Sequence, residues 1–449
     1  MTSFKNKIGG YLLAATAILS GLTLQSCEDE PDKFELTSGV PTIYYIRPTN
    51  VDQKDSLLVQ SYPDNSICIV GSNLTSIKEM YFNDKPAILN TSYITDNTLI
   101  VAVPKDIPDV VTDKIYMITS GEDTVKYDFH VVVPAPVITS MSCEYARPGD
   151  EVTIVGSYFV DDPNKPISVT LPDGKVVTDF TSKTRSQLTF EMPKCTTEGN
   201  ITVTSIYGTT KSSFRYLDSR GLLFDFDGKT GLTPQGWHND GPVITDTENP
   251  ISGNYVQIGN DQTTMDADGG WNDNVYFFPY WPGEWTTPIS YVARKSQKLT
   301  DLVDFKDFEN MAYKFEMCIP STNPWSAGAM QVIVGGVDKI GGAGAGTDTD
   351  GMTCAGANNT YFNNDDLPRG IYRPWAETGS YDTGGKWITV TLPIKDFTYG
   401  MSGSKASGNI KLTAADFTSL TLFIVGGGIS GTDCKPIIRL DNIRVVPLK

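Results

Sequence analysis

The feature that most constrains the fold of this chain is an internal repeat in its first half. Three pairs of similar segments occur in the same order: SICIVGSNL (66–74) with EVTIVGSYF (151–159), LIVAVPKDI (99–107) with LTFEMPKCT (188–196), and KIYMITSGEDTVKYDFHV (114–131) with NITVTSIYGTTKSSFRYL (200–217). The copies are offset by about 85 to 90 residues and are joined at PAP, residues 134–136. An ordered repeat of this length predicts two tandem domains of the same fold.

The composition of each copy indicates β-structure. Short runs rich in Val, Ile, Thr and Tyr are separated by Pro, Gly, Asn and Asp about every ten residues, which is typical of small antiparallel sandwiches. Gly149 and Asp150 suit a turn before a strand, and Gly156 suits a position where the backbone bends away after it. We therefore predict β-sandwich domains at residues 40–134 and 135–218.

A family resemblance supports this interpretation. The segment GDEVTIVGS (149–157) resembles immunoglobulin-like IPT/TIG domains, and the first copy carries a weaker form of the same pattern. The resemblance implies two tandem IPT/TIG-like sandwiches that serve as spacers. Neither copy contains a tryptophan.

The composition changes from Gly221 onward, because every tryptophan of the chain lies beyond this residue. The strand-like runs of this region are LLFDFDG (222–228), YVQIG (255–259), YKFEMCI (313–319), MQVIVGG (330–336), KWITVTL (386–392), LTLFIVG (420–426) and PIIRLDNIRVV (436–446). Helical periodicity is nearly absent. The number and spacing of the runs predict a larger, jelly-roll-like β-sandwich over residues 219–449, so that the whole chain is all-β.

One stretch of this region is unusually aromatic. The segment VYFFPYWPGEW (275–285) holds six aromatic side chains, two prolines and a glycine. Pro279 and Pro282 lack the N–H group that a central strand donates to its neighbour. The segment is therefore expected to form a loop or a strand at the edge of a sheet.

The N-terminus resembles the leader of a bacterial lipoprotein. Lys5 and Lys7 precede an apolar run, 8–24, that ends in LQSC, a pattern similar to a lipobox. The resemblance implies a signal peptide at 1–26 and a lipid on Cys27. A plain signal peptide that happens to end near a cysteine is the alternative.

The residues that follow the leader are acidic. The sequence EDEPD (28–32) resembles the export tag of Bacteroidetes surface lipoproteins and belongs to a predicted lipidated linker at 27–39, although an ordinary solvated linker has the same composition. Loss of the two leader lysines takes the formal charge from −17 to −19. Because such a charge repels phosphate backbones, nucleic-acid binding is disfavoured.

Histidines and cysteines exclude several kinds of site. The chain has only His130 and His238 and no C-x-x-C pair, so a His-based triad or a zinc site is not expected. Buried free thiols are expected for the cysteines, although Cys143 and Cys195 are candidates for a disulfide. No metal or other cofactor is predicted. Calcium remains an open alternative at the loop acids Asp266, Asp268, Asp348 and Asp350.

The order of these parts resembles a known family. A lipoprotein leader, tandem IPT/TIG-like spacers and a C-terminal sandwich that closes on LDNIR (440–444) are similar to the surface glycan-binding proteins of Bacteroidetes polysaccharide-utilisation loci. The resemblance implies a lipid-anchored, cell-surface-exposed protein of the outer membrane. It implies non-catalytic binding of a polysaccharide, xyloglucan or a related β-glucan, and association with a companion glycan-binding lipoprotein and an outer-membrane transporter.

Aromatic side chains on loops are the candidates for such binding. A planar ring covers the apolar C–H face of a sugar, while polar side chains bind the hydroxyl groups at its edge. The predicted glycan-binding residues are Tyr280, Trp281, Trp285, Trp325, Tyr361, Tyr372 and Trp375. Alternation along its strand predicts a core position for Trp387, and Trp237 suits either role. Asn323, Glu284 and Arg373 are nearby polar groups that suit hydroxyl binding or simple solvation.

Two other functions are compatible with the sequence. A glycoside hydrolase requires two carboxylates, which a chain with 53 acidic residues always offers. The pairs that lie close together in the sequence, Asp225 with Asp227 and Asp365 with Asp366, have ordinary explanations in turns or on strand faces. An adhesin would use the same aromatic residues to bind a protein.

Overall fold

A computed structural model describes residues 34–234, 243–281, 297–336, 346–347, 353–354 and 365–448. The chain divides into two compact units, Met1–Asp106 with Asp113–Val131, and Ile107–Thr112 with Val132–Lys449. Within the described ranges the regular structure consists of β-strands and 3-10 helices, which confirms the predicted all-β class. The 3-10 helices are Val51–Gln53, Leu74–Ser76, Thr91–Tyr93, Leu299–Asp301, Phe308–Asn310, Pro374–Ala376, Ile394–Asp396 and Ala414–Thr418. None of the described helices has the length and apolar character needed to cross a membrane.

The first unit is a sandwich of two sheets. Its strands are β1 Thr42–Pro48, β2 Gln60–Ser61, β3 Ser66–Ser72, β4 Ile77–Phe82, β5 Lys85–Pro86, β6 Thr98–Ala102, β7 Lys114–Thr119, β8 Thr124–Asp128 and β9 His130–Val131. The sheets have the orders β1-β3-β6 and β5-β4-β7-β8, and β2 pairs with β9 in parallel. Alternate residues of β6 and β7, one strand from each sheet, are buried, including Leu99, Val101, Ile115 and Met117. This alternation is what the period-2 sequence pattern predicts.

The second unit begins with a similar sandwich. Its strands are β10 Val137–Met141, β11 Glu151–Ser157, β12 Ser168–Thr170, β13 Val176–Val177, β14 Ser182–Lys183, β15 Gln187–Glu191, β16 Gly199–Ser205 and β17 Gly208–Tyr216. The sheets have the orders β10-β11-β15-β14 and β13-β12-β16-β17. Cys143 and Cys195 are buried free thiols, so the alternative of a disulfide between them does not hold.

The repeated glycines occupy equivalent positions in the two sandwiches. Gly71 pairs with Ile43 and Gly156 pairs with Ile138, and in both sheets the register shifts directly after this pair. A Cβ on Gly156 would lie 1.9 Å from the carbonyl oxygen of Val137 on the facing strand, and Gly71 faces the same constraint. Close approach of the neighbouring strand at a bulge, rather than a bend after the strand, therefore explains these glycines.

The C-terminal part of the second unit is a larger sandwich. Its strands are β18 Leu222–Phe224, β19 Val243–Thr245, β20 Tyr255–Ile258, β21 Phe277–Tyr280, β22 Met311–Cys318, β23 Ala329–Gly335, β24 Gly346–Thr347, β25 Thr353–Cys354, β26 Gly370–Tyr372, β27 Ile388–Pro393, β28 Ser419–Val425 and β29 Ile438–Pro447. One sheet has the order β19-β20-β29-β22-β27, with β18 also paired to β29, and the other has the order β21-β28-β23-β26. Each of the seven predicted runs overlaps a strand, and Pro279 lies in β21 at the edge of its sheet, one of the two placements expected for it.

The two sandwiches of the second unit share one continuous core. Ile251, Tyr255, Cys318 and Trp387 of the larger sandwich pack within the apolar cluster of the smaller one. The indole nitrogen of Trp387 donates to the carbonyl oxygen of Asn249 at 2.7 Å, and its ring meets Tyr255 edge-on at 5.6 Å. The predicted core position of Trp387 is confirmed.

Buried charges reinforce this junction. Arg444 of β29 binds Glu316 of β22 and Glu144 of the smaller sandwich, each at 2.8 Å, and Lys314 also binds Glu144. All four side chains are buried. The Thr389 hydroxyl donates to Glu316 at 2.9 Å and accepts from the Glu144 backbone N–H at 2.7 Å. Two acids and two bases are thus paired with one another, as buried charges require.

The LDNIR segment forms a bulge in β29 that buries a carboxyl group. Asn442 has a positive φ of 50°, and the pairing of β29 with β22 shifts between Lys314 and Glu316. Asp441 is fully buried, and its side chain accepts from the Ser252 hydroxyl at 2.9 Å and the Asn442 backbone N–H at 2.7 Å. Burial raises the pKa of Asp441 to about 8, although these hydrogen bonds oppose the rise.

The raised pKa of Asp441 predicts a pH-dependent contribution to stability. Because the folded protein holds this proton more tightly than the unfolded chain, the contribution is present at pH 4 and declines as the pH rises towards 8, by up to about 1.4 kcal/mol per pH unit. Asp441→Asn is expected to remove this dependence of the free energy of unfolding on pH. Urea unfolding of both proteins at pH 5, 6.5 and 8 tests the prediction, and parallel stability curves for the two proteins would contradict it.

Candidate functional site

The four-stranded sheet of the larger sandwich has two apolar faces. Its inner face packs against the six-stranded sheet through residues such as Phe278, Val332 and Leu422. Its other face carries a separate set of buried residues, here called the outer-face cluster. The cluster consists of Phe277, Trp281, Ile333, Leu367, Phe423 and Val425.

The outer-face cluster accounts for one of the predicted binding residues. Trp281 is 3% exposed, and its indole nitrogen donates to the Thr421 hydroxyl at 2.9 Å. Its ring meets Phe277 edge-on at 6.0 Å. The prediction that Trp281 offers its ring to a glycan from a loop is wrong, because the ring is buried in the outer-face cluster.

Tyr280 is buried on the opposite side of the same strand. Its ring lies in the inner core and meets Phe224 at 5.2 Å, and its hydroxyl group donates to the Gln297 carbonyl oxygen at 2.7 Å. Burial raises the pKa of Tyr280 to about 12. The prediction that Tyr280 binds a glycan from a loop is also wrong, because β21 alternates its side chains between two apolar layers.

Trp325 and Trp375 are buried beside one turn. Both indole nitrogens donate to the carbonyl oxygen of Gly328, at 3.0 and 2.8 Å. Both rings belong to the inner core, which contradicts their predicted exposure. Tyr372 is partly buried, packs against the same core and lies 6.1 Å from the Trp325 ring. Proline and glycine next to these residues indicate turns, but the turns direct the rings inward.

Several other candidates lie outside the described residues or have a structural role. Outside the described ranges are Cys27, Trp237, Glu284, Trp285, Asp348, Asp350 and Tyr361. Asn323 donates to the Lys435 carbonyl oxygen at 3.0 Å. Arg373 donates to the carbonyl oxygen of Gly427. Both side chains therefore fix loops of the larger sandwich.

Trp271, which the sequence interpretation did not select, is the most exposed tryptophan among the described residues. It is 44% exposed, and its ring meets Phe423 of the outer-face cluster at 4.7 Å with an angle of 88° between the planes. The sequence contained a signal for this exposure, since Gly269 and Gly270 precede Trp271 and an Asn-Asp-Asn run follows it. This combination is typical of a turn.

The turn that holds Trp271 is tightly constrained. Asp266 accepts hydrogen bonds from the backbone N–H groups of Asp268 and Gly270, both at 3.0 Å. Gly269 has a φ of +72°, and a Cβ at this position would lie 2.6 Å from the backbone nitrogen of Gly426. The close contact between the two backbones fixes the position of the exposed indole at the rim of the outer-face cluster.

The acidic residues singled out in the sequence also maintain turns. Asp225 and Asp227 accept from the backbone N–H groups of Lys229 and Asn254, at 3.2 and 2.8 Å. Asp365 accepts from the Ser402 N–H at 2.7 Å. Across the described ranges, no three His, Cys, Asp or Glu side chains are arranged to hold a metal ion.

Comparison with known proteins gives the class to which this architecture belongs. A sequence model of the surface glycan-binding protein B xyloglucan binding domain matches residues 216–447, just over half of the chain. The structure is similar to the crystal structure of the surface glycan-binding protein PbSGBP-B from Prevotella bryantii. The TM-score is 0.83 and the sequence identity 45%, and the match covers 92% of this chain and 100% of that chain.

A further relative matches a smaller region. An IPT/TIG domain-containing protein from Bacteroides ovatus is 30% identical over 156 residues, which are 33% of this chain and 30% of the relative. The chain therefore matches less than a third of that curated relative's length. Taken with the long match to the Prevotella protein, these findings show that the chain belongs to the surface glycan-binding protein B family. The matching family model and the Prevotella protein are both described as glycan-binding rather than as hydrolases.

Proposed function

We propose that this chain captures a xyloglucan-type β-glucan at the cell surface without cleaving it. The observation that carries the proposal is the match of residues 216–447 to a domain family described as xyloglucan-binding. The 45% identity to a surface glycan-binding protein over nearly the whole chain supports the same function.

The geometry suggests where the glycan binds. Trp271 is exposed, is held on a rigid turn and borders a sheet face that is rich in aromatic residues. An indole ring held in this way stacks on a sugar ring with little loss of conformational entropy. Trp285 and Tyr361 remain proposed partners on the same domain.

The expected affinity is weak. A stacked ring contributes about 1 kcal/mol after costs, so a site of three or four rings with a few hydrogen bonds gives a dissociation constant between about 1 μM and 1 mM. A surface receptor tolerates this affinity, because several copies on one membrane hold the same polymer and raise the overall avidity.

The proposed anchor is a lipid on Cys27, followed by the acidic segment 28–32 at the outer face of the outer membrane. A companion glycan-binding lipoprotein and an outer-membrane transporter are the proposed partners. Absence of catalysis is supported by Asp225, Asp227 and Asp365, whose carboxylates accept backbone hydrogen bonds in turns. These three carboxylates therefore have a structural role in their turns.

Substitution of Trp271 tests the proposed site. Residues 28–449 are expected to be retarded in native gels that contain xyloglucan, and Trp271→Ala is expected to weaken binding about fivefold, because one stacking contact of about 1 kcal/mol is lost. The melting temperature should fall only slightly, since nearly half of the Trp271 side chain is already exposed. The matched control is Tyr93→Ala, which removes an exposed ring from the first unit.

The other outcomes separate the competing functions. If Trp271→Ala migrates like the unaltered protein in xyloglucan gels, Trp271 does not contribute to glycan binding. Unretarded migration of the unaltered protein in xyloglucan, mixed-linkage glucan and hydroxyethylcellulose gels would contradict glycan capture and favour a protein-binding adhesin. Release of new reducing ends from any of these polymers would show an enzyme.

A further inference from the structure

The larger sandwich has an open groove that the proposed β-glucan site does not use. It has a volume of about 510 Å³ and lies where the loop after β27 passes the segment before β22. This volume is within the range of sites for small ligands. The groove therefore has room for a short stretch of a polymer.

The charge of the groove is opposite to that of the chain. Its charged lining residues are Lys395, Lys405, Lys411 and Glu309, a net charge of +2, whereas the whole chain carries −17. All three lysines are exposed, and none forms an ion pair with a described residue. Ammonium groups without acidic partners are available to an anionic ligand.

The base of the groove is apolar. Phe397 and Ile394 are buried beneath it, and Ile410 and Leu412 are partly exposed along its side. An apolar base under a rim of cations suits a ligand that has both a C–H face and a negative charge. A sugar ring that carries a carboxylate or a sulfate group has both features.

The position of the groove favours a glycan over an acidic protein segment. Ile410, which lines the groove, also packs against the outer-face cluster, and Trp271 contacts Phe423 of the same cluster. The groove is thus continuous with the layer that borders the proposed β-glucan site. Because both places border one apolar cluster of the glycan-binding domain, a second sugar site is favoured over a site for a protein segment.

We propose that the groove rimmed by Lys395, Lys405 and Lys411 is a second glycan-binding site, selective for anionic sugars. Uronic acids and sulfated sugars share the required chemistry, a negative group on the edge of a pyranose ring. The proposal adds a class of ligand and concerns residues other than Trp271. The two proposed sites can therefore be tested independently of each other.

Calorimetry of residues 28–449 tests this site. The probes are a galacturonic acid tetrasaccharide, its fully methyl-esterified form and a sulfated gluco-tetrasaccharide. At least one anionic probe is expected to bind, at least tenfold more tightly than the methyl ester, and to bind more weakly at 500 mM than at 50 mM salt, because ions screen exposed charges. The tighter of the two anionic probes identifies the source of the charge.

The variant Lys395→Gln/Lys405→Gln/Lys411→Gln is expected to lose at least tenfold in affinity for the anionic probe and to keep its retardation in xyloglucan gels. The matched control is Lys78→Gln/Lys105→Gln/Lys306→Gln, which changes the net charge equally at exposed sites outside the groove. This control should bind like the unaltered protein.

Three results would overturn the proposal. They are absence of binding by both anionic probes, equal binding of the methyl ester, and equal loss of affinity in the control variant. Retardation in xyloglucan gels is measured on the same proteins. A failure of the proposal for the lysine groove can therefore be distinguished from a failure of the proposed β-glucan binding.

Discussion

Replacing Arg444 with methionine is expected to lower the free energy of unfolding of the second unit by about 3–5 kcal/mol, the usual cost of removing one member of a buried charge network. The variant leaves Glu316 fully buried without its bidentate partner and leaves Glu144 with Lys314 alone. Chemical denaturation of residues 132–448 at pH 7 measures the loss.

The pH dependence of this variant follows from the same geometry. Burial already raises the pKa of Glu316, although the attraction of Arg444 opposes the rise. Without Arg444 the folded protein holds a proton on Glu316 more strongly. The stability deficit of Arg444→Met should therefore be smaller at pH 5 than at pH 8, since stability from such a proton declines as the pH rises.

The matched control is Lys386→Met. Lys386 bonds to Glu151 at 3.0 Å across the same two sandwiches, but the two side chains are 65% and 52% exposed. An exposed pair contributes about 0–1 kcal/mol. Similar losses in the free energy of unfolding from Arg444→Met and Lys386→Met would contradict the claim that the buried charges stabilise the junction more than the exposed pair does.

Separating the two sandwiches of the second unit is expected to lower the free energy of unfolding of the larger sandwich by still more. A fragment of residues 219–448 exposes Tyr255, Trp387 and their apolar neighbours and removes Glu144 from Lys314 and Arg444. Uncovering half of the two aromatic side chains, about 150–250 Å², costs about 4–6 kcal/mol. This cost is comparable with the whole stability of many domains.

Thermal unfolding of two fragments tests this expectation. Residues 132–448 should unfold in one cooperative transition, because the core is continuous. Residues 219–448 should melt at least 10 °C lower or aggregate. A melting temperature for 219–448 within a few degrees of that for 132–448 would show that the larger sandwich is stable alone.

Much of the fold could be predicted from the sequence because it depends on local pattern. The short strand-like runs at 313–319 and 420–426 identified β22 and β28, and the proline in FFPY (277–280) indicated a loop or an edge strand, of which the structure shows the edge strand. For Trp387 the sequence predicted that the side chain is buried, but not that it is buried between the two sandwiches. Its partners come from residues more than a hundred positions away along the chain, which periodicity does not reveal.

The candidate site was harder to predict, because exposure depends on which side of a turn a ring faces. Trp281 and Trp325 follow proline-containing segments, yet tertiary contacts bury both rings. Trp271 was missed although its glycine-rich turn was visible in the sequence. The groove lysines were also missed, since Lys395, Lys405 and Lys411 come together only when the loop after β27 folds back on the sandwich.

Calorimetric titration of residues 28–449 with a xyloglucan oligosaccharide, followed by mass analysis of the recovered sugar, tests the central claim most directly. We expect saturable heat with a dissociation constant between about 1 μM and 1 mM, weaker binding by Trp271→Ala, and recovery of the oligosaccharide at its original mass. Absence of heat at millimolar sugar, or recovery of shortened products, would contradict non-catalytic capture of a xyloglucan-type glycan.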